Sequence, residues 1–141
     1  MASSPRPSFA SPTVQAYLAG HDVVVLAMVT PTGSPLATPM WFVHDTTSLG
    51  MVSVDGLAKI RHLQADPRVS VVAEDGGRGD SRALVLTGAV RFLAGEERVA
   101  WGERFRQKYG AAVEALWGST AIPDNRQVFV LEPGVASAFG L

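Results

Sequence analysis

The sequence predicts a mainly antiparallel β-barrel with flanking helices, an all-β to α+β architecture, and three observations predict it. The first three extended segments are joined by Pro31-Thr32-Gly33-Ser34 and His44-Asp45-Thr46-Thr47. Both connections are too short for the crossover that parallel strands require, so the segments must run antiparallel. The first of them, residues 23–30, is β-branched and apolar on both faces, the pattern of a strand covered on both sides. The chain has 141 residues, 47% of them apolar and 18% charged. A domain of that size buries roughly two-thirds of its extended surface, enough for a closed core.

The elements follow in order. Residues 1–9 are rich in Ser and Pro and read as a flexible tail, leaving residues 10–141 as the single domain. Ser11-Pro12 has the N-cap and N1 residues of a short helix that ends at Gly20, with Val14, Tyr17 and Leu18 on one face. Strands are expected at 23–30, 36–43 and 48–54. A helix over 57–64 starts after Asp55-Gly56, with Asp55 placed to cap it, and stops at Asp66-Pro67. A short strand at 68–73 and a Gly-rich connector at 74–81 lead into a long strand at 82–93, where Gly88 marks a bulge or a close backbone approach. The longest helix is expected over 96–117. Residues 126–131 and 135–139 read as two closing strands. Helices then plug the ends of a curled sheet.

Composition narrows the function classes. The formal net charge is −1, which does not suit a general nucleic-acid binder, and the aromatic residues are too scattered for a stacking groove. The chain has no cysteine, which removes disulfides, thiolate metal sites and cysteine nucleophiles and fits a cytoplasmic protein. His21, His44 and His62 share no metal-ligand spacing, so no metal site is expected. No stretch has the roughly 20 apolar residues of a membrane helix.

Two stretches carry chemistry. Lys59 and Arg61 lie at the start of the 57–64 helix. A helix N-terminus is partly positive, so a cation there costs about 0.3–1 kcal/mol. A docked anion reverses the sign, because free N–H groups, dipole and side chains then act together, and phosphate is the natural candidate. The plainer alternative is that both cations point into water. In the second stretch, alternation places Leu36, Thr38, Met40 and Phe42 on one strand face and Ala37, Pro39, Trp41 and Val43 on the other. Trp41 beside Pro39 forms an apolar shelf for a planar ring or a subunit, unless Trp41 is simply core. The basic segment 104–109 reads as a solvated helix face.

The run Ala58-Lys59-Ile60-Arg61-His62-Leu63, followed by Asp66-Pro67-Arg68-Val69-Ser70, resembles the "AK-x-R-N-L … DPRVS" signature of the pyridoxamine-phosphate-oxidase-like split barrels. It is most similar to the flavin/deazaflavin oxidoreductases of group B, over residues 19–93. That resemblance implies a six-stranded antiparallel split barrel forming a homodimer, with cofactor sites in the clefts between subunits. It implies coenzyme F-420 or, alternatively, FMN, and hydride transfer to a small conjugated organic substrate. A non-catalytic flavin or haem carrier is the other role it allows. Carried onto this chain, Lys59 and Arg61, in the motif opened by Ala58, would hold the cofactor phosphate. Thr38, Pro39, Met40 and Trp41 would lie along the ring and its chain, Ser53 and Val54 would touch the cofactor, and Arg82 would reach the phosphate or the substrate. His62 departs from the Asn of many relatives, and no catalytic acid or base stands out, Tyr109 and His62 being the nearest candidates.

Overall fold

The computed structural model describes residues 6–76 and 78–141. Helix α1 (Pro12–Ala19) is capped as expected: Ser11 Oγ accepts from the Val14 N–H at 3.3 Å, and Val14, Tyr17 and Leu18 are buried. Packing begins before it. Phe9 is buried in the core and its carbonyl accepts from Gln15 Nε2 at 2.9 Å, so order reaches into the segment expected to be loose. Residues 1–5 of that segment lie outside the described ones.

Strand β1 (Val23–Val29) turns through Gly33, whose φ of +82° favours glycine, into β2 (Pro35–Trp41). The strand expected over 36–43 is interrupted at Phe42 and resumes as β3 (Val43–His44). Then come β4 (Leu49–Val54), α2 (Ala58–Ala65), β5 (Arg68–Asp75) and β6 (Arg82–Phe92). The connector expected over 74–81 is shorter than its pattern suggested, because β5 runs to Asp75; Gly77 within it lies outside the described residues.

The long helix expected over 96–117 is two helices. α3 (Gly95–Tyr109) and α4 (Ala111–Trp117) meet at Gly110, with φ +57° and ψ −128°, a backbone conformation that breaks the helix and that only glycine adopts without strain. The two closing strands are one. β7 (Arg126–Phe139) runs through Pro133, with a register shift opposite Thr87 and Gly88 that accommodates a residue unable to donate to the ladder. Gly88 is required there, since a Cβ would sit 2.9 Å from the Glu132 carbonyl oxygen.

All strand pairs are antiparallel, in the order β2-β1-β5-β6-β7-β4-β3. The two edges of this sheet, β2 and β3, are separated in sequence by Phe42 alone. They are therefore two halves of one bent strand, and the sheet curls until its edges meet there. Counting β3 separately gives seven strands in place of the six that the resemblance implies, a difference made by this bend.

Two apolar layers hold the barrel. Leu26, Met51, Leu84, Leu86, Phe129 and Leu131 fill its interior. Val43, Trp101, Phe105, Trp117, Val128 and Val130 form a second layer between the outer sheet face and α3 and α4. β7 belongs to both, which is why Val128, Phe129, Val130 and Leu131 are all buried. Among the described residues no helix is long and apolar enough to cross a membrane.

Helix α3 approaches the sheet over Gly50, where an added Cβ would lie 2.6 Å from the Trp101 ring. Trp101 is buried and cannot swing away. The prediction is that Gly50→Ala destabilises the fold by about 1–3 kcal/mol through overpacking, read as a lower midpoint in chemical denaturation. An unshifted midpoint would show that α3 is free to move off the sheet.

Candidate functional site

A cavity of about 310 Å³ opens where the bent strand, the end of β4, the start of α2 and the α3–α4 pair converge. Its lining includes Pro39, Met40 and Trp41 from β2, Ser53 and Val54 from β4, and Lys59 from α2. Six of the sequence-predicted residues are thus brought to one place. The alternation expected along β2 holds: Met40 and Phe42 belong to the barrel interior, while Trp41 and Val43 pack with the helix layer.

Trp41 is held flat. Its ring stacks on Tyr109 at 4.5 Å with 6° between planes. The Tyr109 hydroxyl accepts from the Phe42 N–H at 2.9 Å and lies within donating distance of the Asp22 and Phe42 carbonyls, at 2.7 and 2.8 Å. Burial pushes its pKa up to about 12, so at neutral pH it stays a protonated donor. This candidate for a proton source is therefore an anchor of the bend. His62, the other candidate, does not line the cavity, and its buried Nδ1 has no hydrogen-bond partner.

Lys59 is the cavity's distinctive charge. Its Nζ donates only to Met40 Sδ, at 3.3 Å, and no carboxylate pairs with it among the described residues. Burial pushes its pKa below the usual lysine range, because nothing of opposite charge compensates the lost water. The start of its helix is equally unsatisfied. Asp55 does not cap α2; its Oδ1 accepts instead from the Gly56 N–H at 3.0 Å and from Gln127 Nε2 at 3.3 Å. The N-cap is Leu57, which has no side-chain acceptor to offer. The first-turn N–H groups are left for an external acceptor.

The remaining predicted residues are placed elsewhere. Arg61 is exposed and folds back to donate to the Gly56 carbonyl, at 2.5 Å, beside the α2 start but outside the cavity lining. Ala58 opens the helix, and the Thr38 hydroxyl sits 3.5 Å from the Pro39 carbonyl; neither lines the cavity. Arg82 is not brought to Lys59 within one chain. It pairs with Asp75 at 2.6 Å in a separate cleft, where Asp75 also accepts from the Tyr17 hydroxyl at 2.6 Å.

Sequence reasoning missed the cavity's other wall: Val52, Phe105, Val113, Leu116, Trp117 and Arg126. The 104–109 segment is not a solvated face. Phe105 is buried, and Lys108 donates to the His21 and Phe42 carbonyls at 2.6 and 3.1 Å with Phe42's ring 3.7 Å away. Arg126 comes close to Val54 only because β7 pairs with β4 in that register. The cavity therefore carries two cations, three aromatic rings and no acid.

These features define a class: an antiparallel split barrel with a cationic, aromatic-walled cleft at its bend. The family model described as pyridoxamine 5'-phosphate oxidase matches residues 10–138, and the chain belongs to that family. No curated protein matches the chain in sequence. Solved structures share the fold. A conserved hypothetical protein, Rv2991, from Mycobacterium tuberculosis is 19% identical with a TM-score of 0.78, covering 96% of this chain and 89% of its own. A heme-binding protein from Mycobacterium smegmatis is 21% identical with a TM-score of 0.77, covering 97% of this chain and 56% of its own. A FAD-binding protein from Mesorhizobium loti is 22% identical with a TM-score of 0.62, covering 87% of each chain.

An anion at Lys59 would restore the positive charge that burial disfavours, raising that side chain's pKa on binding. The sign follows: binding takes up protons at pH values between the free and bound pKa, and affinity falls as pH rises through the lowered free value. Phenyl phosphate, a dianion throughout the alkaline range, should show both effects in calorimetry across buffers of different ionisation enthalpy. Lys59→Arg should flatten the profile, and a flat profile for the unaltered protein would exclude Lys59 as the anion's partner.

Proposed function

We propose that this chain is an oxidoreductase that binds coenzyme F-420 or, alternatively, FMN in the Lys59 cleft and transfers a hydride between that cofactor and a small conjugated organic substrate. The observation that carries the reading is Lys59: a half-buried ammonium with a thioether for its hydrogen-bond partner, beside an uncapped helix start, in a cavity lined by no acid. The group that neutralises it must come from outside the chain.

A phosphate-bearing tricycle fits those residues. Lys59, the first-turn N–H groups of α2 and the nearby Arg61 would hold its phosphate. Pro39, Met40 and Trp41 would line the ring, with Ser53 and Val54 at its edge and Ala58 and Thr38 flanking these contacts. When bound, such a cofactor supplies the hydride chemistry, and the protein supplies binding, orientation and exclusion of water. Trp41, locked against Tyr109, offers a plane that does not reorganise on binding. The pair Lys59 and Arg61 at one helix start supports the more anionic F-420. Haem is less well served, since it requires an axial ligand and, among the described residues, the lining holds no His, Cys or Tyr.

The same reading includes a homodimer. The outer face of β1, β5 and β6 carries an apolar patch beside a cleft that α1 borders: Val25, Val72 and Val85 are cross-strand neighbours, and Val23 and Val25 are exposed. Val23 and Val25 pair with Trp41 and Pro39, so this face runs into the cleft. A second copy seated there would close the cleft and is the route by which a partner's Arg82 could reach the cofactor.

Titration of the purified protein with F-420 and FMN, followed by fluorescence quenching, tests the cofactor. Lys59→Ala with Arg61→Ala should weaken binding more than tenfold with the fold intact, since a charge-assisted hydrogen bond is worth roughly 1.5–3 kcal/mol. Unchanged affinity would refute the site. Light scattering at micromolar concentration should return a dimer, and a monomer would undo the closed-cleft arrangement.

A further inference from the structure

Arg126 stands out among the residues that the cofactor reading leaves unused. It begins β7 and lines the same cavity as Lys59, but on the wall formed by α3 and α4. Its Nη1 donates to Asn125 Oδ1 at 2.6 Å and its Nη2 to the Leu116 carbonyl at 3.3 Å. Both acceptors are neutral, and no carboxylate pairs with it among the described residues. A guanidinium has five N–H donors, so several remain for a ligand. Its backbone is fixed from behind: Arg98 donates to the Arg126 carbonyl at 3.2 and 2.9 Å and also, at 2.5 Å, to that of Pro123. The side chain is thus presented by the braced first residue of a strand.

Its neighbours are aromatic. Trp41, Phe105 and Trp117 line the cavity together with Val113 and Leu116, and Leu116 and Val54 are exposed at the lining. A pocket with one fixed guanidinium, flat apolar walls and no acid selects by charge and by shape. The guanidinium is geometrically matched to a carboxylate, which it can hold with two parallel N–H bonds. The walls exclude bulky saturated groups less well than they favour a planar one.

We infer that Arg126 is the specificity-determining residue of this cleft, and that the substrate is a planar conjugated carboxylic acid, its acid group on Arg126 and its ring against the aromatic wall. This rests on the cofactor reading for the word substrate, but not for the binding itself. Lys59 then serves the cofactor's anion and Arg126 the substrate's, two cations on different elements with separate tasks.

The test uses 2-naphthoate and its neutral analogue 2-naphthamide as probes, with quenching of tryptophan fluorescence as the readout, on the full chain without added cofactor. The unaltered protein should bind the acid at least tenfold more tightly than the amide. Arg126→Met should remove that preference while leaving amide binding within about twofold, which also shows that the variant is folded. Lys59→Met should keep the preference for the acid. If Arg126→Met retains the preference, or if Lys59→Met abolishes it, the assignment of Arg126 is overturned. FMN and F-420 titrations on the same proteins separate the two ideas. Acid selectivity without cofactor binding leaves Arg126 standing and removes the oxidoreductase reading; cofactor binding without acid selectivity does the reverse.

Discussion

The bend at Phe42 is the constraint on which the rest of the molecule depends. A strand that continued straight from residue 35 to residue 44 could pair with β1 or with β4, but not with both. The break frees the backbone groups of Phe42 from the ladder, and a buried peptide group without a partner is costly. Tyr109 and Lys108, adjacent at the end of α3, satisfy them: the Tyr109 hydroxyl takes the N–H, and both side chains reach the carbonyl. One helix end therefore closes the barrel. The same contact stacks Tyr109 on Trp41, so the clamp that makes the fold possible also flattens a wall of the cleft.

Lys108 and Lys59 show how two half-buried lysines can differ in role. Burial pushes Lys108 down to about 8, yet its ammonium has two carbonyl acceptors and the face of Phe42. It is internally satisfied and belongs to the scaffold. Lys59 is lowered by burial too, but its partner is a thioether that accepts weakly. An arrangement that leaves a cation poorly solvated and poorly paired is a local sacrifice of stability, and such sacrifices concentrate where a ligand completes the site. The contrast lies in the partners, not in the degree of burial.

The helical layer has a similar double use. Trp101 pressed onto Gly50 fixes the distance of α3 from the sheet, and the break at Gly110 turns α4 so that Leu116 and Trp117 reach the cavity. A single continuous helix over 95–117 would have carried the chain past β4. The cleft is therefore shaped by two irregularities, the strand break at Phe42 and the helix break at Gly110.

Local patterns determined a good deal on their own. Short turns made the sheet antiparallel, Ser11-Pro12 started α1, and two-residue alternation put Met40 and Trp41 on opposite faces of their strand. Those are properties of neighbours in sequence, and a chain cannot hide them. The motif around Lys59 pointed to an anion, and the structure left that cation unpaired. What the sequence could not show was pairing at a distance. Asp55 has the right residue type to cap α2, but Gln127 and the backbone of Gly56 claim its carboxylate. Arg126, Trp117 and Phe105 carry no local sign of a site, since their place in it comes from the β4–β7 register and from how α3 docks. Arg82, whose type fits a phosphate, is paired within its own chain with Asp75, its register partner across β5 and β6. Sequence spacing dictates backbone conformation, but which side chains share a cavity is decided by closure of the barrel, a many-body packing outcome with no short-range signature.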